Sequence, residues 1–233
     1  MLLAARRAAV AVRSPAKQCS SISLPDVDSG ISESPLTAAA DRSLTDEDVA
    51  YIEANFVRLE ELCHGRGEQA DHVRALMDEG KLPRPAYLME DGTEMVASDY
   101  FALLDEAGGI ESLGALFSLR YRHAAATVGA AVTEASVEDD WNAYLSGEYA
   151  VCLWHVTPEN VFRKGWLATE IEQLLADPRP DDRQWRGHLT ELVNELDALE
   201  REFAPYDRRR WGTVSRDRLI TALRGQYELT VPG

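Results

Sequence analysis

The feature that most constrains the fold is a helical spacing of apolar residues, which recurs in segment after segment from Ser43 onward. Near the start of this region, and again in a longer stretch after residue 180, apolar residues follow one another mainly at intervals of three or four. Such spacing places them on one face of an α-helix and predicts amphipathic helices that pack together. The two series are Val49, Ile52, Phe56, Leu59 and Cys63, and Trp185, Leu189, Leu192, Val193, Leu196, Leu199 and Phe203.

Capping residues indicate where the predicted helices begin and end. Ser and Thr side chains accept hydrogen bonds from the free amides of a first turn, and Gly adopts the left-handed conformation that ends many helices. The first helix is predicted to run without interruption from Thr45 to Gly65 or Gly67. Further N-caps are predicted at Ser98, Ser136, Thr157 and Ser215, and further helix ends at Gly80 and at the pair Gly108 and Gly109.

One segment departs from the helical spacing. Residues 81–97 contain two prolines, and residues 86–96 place apolar residues on either side of Asp91 and Gly92, a pair favoured in tight hairpin turns. A two-stranded β-ribbon is therefore predicted over residues 86–96, as the only sheet. The predicted fold class is mainly α: a helical subdomain with a winged-helix-like β-ribbon over residues 43–109, followed by a C-terminal helical subdomain over residues 110–233.

Residues 1–42 differ in composition from the rest of the chain. Residues 25–42 are rich in Ser, Asp and Pro and have no apolar period, so residues 1–42 are predicted to be a disordered N-terminal extension. The first 24 residues are basic, Ser-rich and free of acids, which formally resembles an organelle transit peptide. An overcalled start or a disordered extension is the simpler interpretation.

The charge distribution argues against a nucleic-acid partner. The order helix, turn, helix, ribbon, helix is similar to that of winged helix-turn-helix modules of the excisionase and MerR type. Residues 45–109, however, hold five basic residues against sixteen acids, and the whole chain has a net charge of −16. Binding to phosphate backbones depends on Lys and Arg, so an acidic module lacks the main source of affinity for DNA. No nucleic-acid partner is predicted.

Residues 207–218, which read DRRRWGTVSRDR, have the outline of a calcium-binding EF-hand loop. Such a loop needs oxygen ligands at positions 1, 3, 5 and 9 and a bidentate Glu at position 12. Here positions 3, 5 and 12 are Arg, Trp and Arg, and the loop carries a net charge of +3. The C-terminal subdomain is therefore predicted to end in an EF-hand-like helix-loop-helix without calcium ligands, in which Gly212 takes a positive φ. A sharper alternative is that Arg208, Arg209 and Arg210 pair with the acidic surface or with a carboxylate ligand.

Other signals of metal, cofactor or membrane binding are weak. Cys19, Cys63 and Cys152 show no disulfide spacing and indicate free thiols in a reducing compartment. Cys152 and His155, with Cys63 and His64, have the ligand types of a zinc site, but adjacent helical residues point in different directions. No metal and no cofactor are predicted. No apolar run approaches the roughly 20 residues that span a bilayer, so no membrane partner is predicted.

Four separated stretches carry a family resemblance. They read, in order, LEELCHGRG, LMDEGKLPRPAYLMEDGTEMVASDYF, GEYAVCLWHVTPENV and FAPYDRRRWGTVSRDRLI. Across residues 43–227 the chain resembles an actinobacterial family of uncharacterised proteins that are labelled as natural-product-biosynthesis proteins. The resemblance implies a cytoplasmic protein encoded among genes of secondary metabolism. It implies no particular reaction, cofactor or catalytic residue.

Two classes of function follow as hypotheses. The first is an accessory protein of natural-product biosynthesis, which binds a small molecule or carrier-borne intermediate in a pocket between the two helical halves. This class includes an enzyme of unknown reaction. The second is a non-enzymatic protein-interaction or regulatory module on the winged-helix-like scaffold, which acts on protein. The predicted partner is thus a small molecule or a biosynthetic partner protein. A pocket with convergent polar groups favours the first, and a flat apolar groove beside the ribbon favours the second. The catalytic residues are unknown, and the candidate ligand-binding residues are Tyr100, Arg120, Cys152, His155, Glu159, Lys164 and Tyr206.

Two of these candidates have an ordinary structural interpretation. Cys152 lies in an apolar stretch, where a buried core thiol is commoner than a nucleophile. Lys164 lies between Phe162 and Trp166, and a lysine in such a place usually extends its ammonium group to water, although it can also be desolvated.

Overall fold

The computed structural model describes residues 43–231, so the predicted disordered extension at residues 1–42 lies outside the described residues. The described part is mainly helical, as predicted, with one small sheet. Its helices and strands are α1 (Asp46–Asn55), β1 (Val57–Arg58), α2 (Leu59–Arg66), α3 (Ala70–Asp78), β2 (Tyr87–Leu88), β3 (Glu94–Val96), α4 (Ala102–Ala107), α5 (Ile110–Thr127), α6 (Glu134–Leu145), α7 (Glu148–Cys152), α8 (Pro158–Leu175), α9 (Arg183–Leu199), α10 (Pro205–Trp211), a π-helical turn (Asp217–Thr221) and α11 (Ala222–Tyr227).

The prediction of one continuous first helix is wrong. Thr45 caps α1 as predicted, but α1 ends at Asn55 and the chain runs extended through β1 before α2 begins. The side chain of Phe56 is buried here, edge-on to Tyr87 at 4.9 Å between ring centroids. The extended backbone lets β1 pair with β3, which an unbroken helix would prevent. A helical spacing of apolar residues therefore does not exclude a short break between two helices.

The sheet contains the predicted ribbon and one further strand. β2 and β3 pair antiparallel, and Gly92 takes a positive φ of 85° in the turn between them. β1 pairs antiparallel with the other edge of β3, with Val57 opposite Val96, so the strand order is β1-β3-β2. Two-residue strands such as β1 carry almost no alternation of apolar and polar residues, and sequence patterns therefore miss them.

Several helix ends lie where the glycines and caps predict them, whereas three of the predicted N-caps are wrong. Gly67, Gly108 and Gly212 have positive φ, and Thr157 caps α8 with Pro158 at its first position. The cap of α6 is Thr133, which accepts a hydrogen bond from the amide of Ser136 in a capping box. Ser98 precedes α4 by a turn and does not cap it. Ser215 already lies in helical conformation and directs its hydroxyl elsewhere.

The described residues contribute to two apolar clusters. The larger cluster contains side chains from α1 to α4 and from α5 to α8, so the two predicted subdomains share much of one core. The smaller cluster lies among α8, α9 and the C-terminal helical segment. No helix in residues 43–231 is both long enough and apolar enough to cross a bilayer.

Gly147, in the corner between α6 and α7, allows the two halves to approach closely. It has a φ of 82°, and a Cβ atom on it would lie 2.5 Å from the carbonyl oxygen of Arg84. Beside this contact the amide of Arg84 donates to the carbonyl of Leu145 at 2.8 Å. Only Gly combines the left-handed backbone with so short an approach.

Gly147→Ala is expected to lower the free energy of unfolding by at least about 2 kcal/mol. The left-handed backbone alone costs an L-residue about 1–2 kcal/mol, and the new methyl group also displaces the backbone at Arg84. Urea unfolding measures the change. The matched control is Gly187→Ala in α9, where a Cβ meets nothing within 4 Å, and which should stabilise by about 0.5–1 kcal/mol. Equal stability of the two variants would contradict the close approach.

Candidate functional site

A short antiparallel pairing joins the segment after α7 to the segment after α9. Leu153 forms a β-bridge with Glu200, the amide of Arg201 donates to the carbonyl of Cys152 at 3.0 Å, and the amide of Trp154 donates to the carbonyl of Leu199 at 3.0 Å. The pairing carries two charged side chains into the interior, because Glu200 and Arg201 are both buried. It therefore needs partners for both charges.

Arg201 finds its partners in backbone carbonyls and aromatic rings. Its guanidinium donates to the carbonyls of Leu153, Asn55 and Trp154 at 2.9, 3.0 and 3.3 Å. It also lies over the rings of Phe56 and Trp154, 4.6 and 5.0 Å from their centroids. Burial lowers the pKa of Arg201 from its ordinary value. Since Asn55 ends α1, this side chain fastens the C-terminal half to the first helix.

Glu200 pairs with Lys164 in the interior. The Nζ atom of Lys164 lies 3.0 Å from Oε1 of Glu200, and both side chains are almost fully buried. The hydroxyl of Ser215 donates to the same oxygen at 2.8 Å. The expectation that Lys164 extends to water is wrong, and the alternative of desolvation is observed. α8 packs between α5 and α9, so a side chain on its inner face has no path to solvent.

The arginines of the EF-hand-like segment pair with carboxylates of the chain itself. Arg208 donates to Asp217 at 2.8 Å, and Arg209 donates to Asp48, the buried acid of the α1 capping box. Arg210 instead lies over the ring of Trp211 at 4.4 Å. Burial raises the pKa of Asp48, but Arg209 and the hydrogen bonds to that carboxylate outweigh burial and lower it to about 2. The pair of Arg209 and Asp48 docks α10 onto the start of α1, whereas the pair of Arg208 and Asp217 joins α10 to the π-helical turn that follows it.

Asp207, the first position of the EF-hand-like segment, points into the protein. Its Oδ2 atom accepts hydrogen bonds from the hydroxyl of Tyr87 at 2.7 Å and from the amide of Ala204 at 3.1 Å. Oδ1 is buried and has no partner among the described residues. Burial raises the pKa of Asp207 to about 6, against the lowering effect of these bonds. The buried carboxylate therefore anchors the ribbon through Tyr87 and does not point toward a ligand of the EF-hand-like segment.

A small pocket, which we call the junction pocket, lies between the two halves. Its walls come from residues 83–100 on one side and residues 144–156 on the other, and its volume is about 20 Å³. Oδ2 of Asp99 accepts the amide of Val156 at 3.0 Å and lies 3.7 Å from Nδ1 of His155. The hydroxyl of Tyr100 donates to the carbonyl of Pro83 at 2.7 Å. A pocket thus lies between the two halves, but it is large enough only for a single small group.

A larger depression, which we call the groove, lies between α3 and α4, with a volume of about 420 Å³. Half-buried Leu76 and Leu104 contribute to its floor. On its rim, Arg66 donates to Asp105 at 2.7 Å and lies over the ring of Phe101, 4.5 Å from the centroid. The full lining is Arg66, Glu68, His72, Val73, Leu76, Leu82, Phe101, Leu104, Asp105, Gly108, Gly109 and Ile110.

The seven candidate residues do not surround one cavity. Tyr100 lines the junction pocket, and the exposed His155 lies beside Asp99 at that pocket. Arg120 and Glu159 form a pair with two hydrogen bonds of 2.7 Å, away from both cavities. The remaining three candidates lie elsewhere: Cys152 and Lys164 are buried in the interior, and Tyr206 packs near Tyr87. Sequence reasoning therefore identified residues of suitable chemical type but did not predict which of them lie together in the fold.

Sequence reasoning also missed the residues that line the larger cavity and the acid of the smaller one. Arg66, Phe101 and Asp99 lie inside two of the four stretches that carry the family resemblance, which is the one signal that could have selected them. Their roles depend on contacts between helices that are distant in sequence. In residues 43–231, no group of three or more His, Cys, Asp or Glu side chains is arranged to hold a metal ion.

Comparison with known proteins gave one match. Residues 113–228 match the model of a family described as Family of unknown function (DUF6058), which supports assignment of this region to an uncharacterised family. The matched region runs from the first turn of α5 to the end of α11 and leaves out the helices that form the groove. A search of curated proteins and a search of solved structures each found no match.

The raised pKa of Asp207 predicts a specific dependence of stability on pH. Between pH 4 and pH 6 the folded protein retains the Asp207 proton while the unfolded chain releases it. The contribution of this group to the free energy of unfolding should therefore fall as pH rises, by up to about 1.4 kcal/mol per pH unit. Asp48, with its lowered pKa, acts in the opposite direction and loses its stabilising effect only below about pH 4.

Urea unfolding from pH 4 to pH 8 tests this contribution. In Asp207→Asn the amide oxygen can still accept from Tyr87 and Ala204, but no proton is released, so the variant should gain stability relative to the parent protein as pH rises. Asp78→Asn, at an exposed position of α3, should keep the parent's pH profile. The same profile for all three proteins would show that Asp207 titrates normally.

Proposed function

We propose that this chain is an accessory protein of natural-product biosynthesis, which binds a small molecule or a carrier-borne intermediate in the groove between α3 and α4. The observation that carries the proposal is the groove itself, which combines a volume of about 420 Å³ with an apolar floor and a charged rim. Ligand sites in proteins are commonly concavities of about 300–1,000 Å³ with mainly apolar walls and a few polar groups.

The floor supports binding of an apolar ligand body. Leu76, Leu104 and Ile110 are each only partly buried, so a ligand that covers them removes further apolar surface from water. Each methylene group buried in this way contributes about 0.8 kcal/mol. Beneath them Val73 and Phe101 are almost completely buried, which gives the floor a fixed shape.

The rim supports recognition of a polar end. Arg66 is held in place by Asp105 and by the ring of Phe101, so its orientation does not depend on the ligand. Glu68 and His72 are exposed and lie on the same rim. A ligand with an apolar chain and a hydrogen-bonding head, such as an acyl group on a pantetheine arm, matches this combination of surfaces.

The biosynthetic context rests on the family resemblance. Two of the four stretches that carry it, residues 59–67 and 76–101, contribute Arg66, Leu76, Leu82 and Phe101 to the groove. The proposal therefore connects the resemblance to a surface, although the resemblance itself implies no ligand. The cytoplasmic location that the resemblance implies is part of the same proposal.

The alternative is a non-enzymatic protein-interaction or regulatory module, in which an apolar protein segment occupies the groove. The observation in its favour is the partial exposure of Leu76 and Leu104 on neighbouring helices, which is also how grooves that accept amphipathic helices present their side chains. The groove lies between two helices and its lining includes no residue of β2 or β3, so the ribbon does not contribute to it.

A neutral fluorescent probe, N-phenyl-1-naphthylamine, tests the groove. The full chain should bind it saturably at one site, and decanoyl-pantetheine should displace it. Leu104→Glu places a carboxylate on the floor and should weaken probe binding at least tenfold, or about 1.4 kcal/mol. The matched control is Leu119→Glu, at a leucine of α5 that is 66% exposed and outside the groove.

Two results would contradict the proposal. One is the absence of saturable probe binding to the folded protein, as judged by circular dichroism. The other is an equal loss of binding in both variants, which would place the probe outside the groove. Saturable probe binding without displacement by decanoyl-pantetheine would remove the acyl-pantetheine ligand class and retain the groove as an apolar site.

A further inference from the structure

The groove lies in a surface that carries more acids than basic residues. Residues 66–82 and 101–111, which contain its whole lining, hold seven acids against three basic residues, a net charge of −4. All seven acidic side chains are exposed. The half-buried leucines of the floor, Leu76 and Leu104, therefore lie within a negative surface, which attracts cationic partners.

The basic residues of this surface are already engaged. Arg66, Arg74 and Lys81 each form a salt bridge with a carboxylate, with N–O distances of 2.5, 2.9 and 2.9 Å. By contrast, the carboxylates of Glu68, in the groove lining, and of Glu111, at the start of α5, form no salt bridge within the described part of the chain. A cationic partner can thus pair with these acids without breaking an existing ion pair.

The N-terminal segment of the same chain has the complementary composition. Residues 1–17, which lie outside the described part of the chain, contain Arg6, Arg7, Arg13 and Lys17 and no acid. Their net charge of +4 is opposite to that of the groove surface. The other thirteen residues of the segment are Met, Leu, Ala, Val, Ser and Pro, so most of them are apolar. A segment that is both apolar and basic matches an apolar floor within an acidic border.

The connection between this segment and the described fold is long enough to reach the groove. Residues 18–42 separate the segment from Ser43, where the described part begins. Fully extended, 25 residues span about 80 Å. A folded body of about 190 residues has a radius of gyration of about 16 Å, so it is roughly 40 Å across. The groove is therefore within reach wherever it lies relative to Ser43.

The covalent connection also makes a weak attraction sufficient. Exposed ion pairs are individually weak and are screened by salt. A tethered partner, however, is present at an effective concentration on the order of a millimolar. An intrinsic Kd of about a millimolar or less would therefore keep the groove occupied for half of the time or more.

We propose that residues 1–17 occupy the groove of their own chain, with their aliphatic side chains on its floor and their basic side chains among its acids. Any ligand of the groove must then displace this segment, which makes the segment an autoinhibitory element. The inference rests on the proposed function of the groove and adds a means of regulating it. High ionic strength or an acidic partner that binds the segment would open the groove.

A nitroxide spin label at Cys19 detects the docked segment directly. Cys63 and Cys152 are buried, so a thiol-reactive label is directed to Cys19 without any substitution. In the full chain at low salt, the label should broaden the amide resonances of Leu76 and Leu104. At about 0.5 M NaCl the broadening should disappear, because salt screens ion pairs between exposed groups.

Two controls accompany the broadening. The amide of Gly187, an exposed position of α9 outside the groove, should be broadened less than the groove amides at low salt. An equal mixture of ¹⁵N-labelled protein without the nitroxide and unlabelled protein with it should show no broadening of the groove amides. The mixture separates docking within one chain from docking onto a second copy.

Charge reversal in the segment tests the consequence for ligands. A groove that is open for one third of the time binds a probe about threefold more weakly than an open groove. The double variant Arg6→Glu, Arg7→Glu of the full chain should therefore lose the broadening and bind N-phenyl-1-naphthylamine about threefold more tightly than the parent. Arg179→Glu with Arg183→Glu makes the same change of charge at exposed positions outside the groove and should bind the probe like the parent.

The proposal is overturned if the label does not broaden the groove amides preferentially, or if the Arg6, Arg7 variant binds the probe like the parent. It is also overturned if the mixture shows the same broadening, which would assign the groove to the segment of a second copy. The broadening requires no probe, whereas failure of the groove as a ligand site appears as an absence of probe binding in all variants. The two failures are therefore distinguishable.

Discussion

The buried guanidinium of Arg201 is the interaction on which the rest of the arrangement depends. It joins three carbonyls from two distant parts of the chain, at the end of α1 and in the segment after α7. With the pairing of Leu153 and Glu200, it fixes the course of residues 152–156. His155 and Val156 follow directly in the sequence. Because the amide of Val156 donates to Asp99, the contact between Asp99 and the second half depends on the same arginine. Its five donors in a rigid fork suit this task better than a lysine ammonium would.

The interior charges also limit how these helices can pack. Lys164 and Glu200 are both almost fully buried, and removal of either partner would leave an uncompensated charge that costs about 3–5 kcal/mol. A packing of α8 against α9 that separated the two side chains would incur a similar penalty. Well-packed apolar residues would not discriminate between neighbouring arrangements so strongly. The buried pair, together with Ser215, therefore specifies the register of three segments.

The sequence predicted the features that depend on neighbouring residues. Thr45 and Thr157 cap helices, and Gly92 turns the ribbon, because each acts within a few residues of its own position. Features that depend on distant partners were missed or misplaced. β1 forms because β3 offers it an edge, and Ser215 bonds to Glu200 instead of capping its helix. The candidate residues were dispersed for the same reason: residue types identify possible chemistry, but contacts across the fold decide which groups meet.

The segment from residue 76 to residue 101 contributes residues to both cavities. Leu82 lines the groove and Pro83 lines the junction pocket, and the same division separates Phe101 from Tyr100. At two places in the segment, adjacent residues thus line different cavities. The ribbon between these two places is anchored by Tyr87, whose hydroxyl donates to the buried Asp207. A backbone shift here would therefore alter both cavities together.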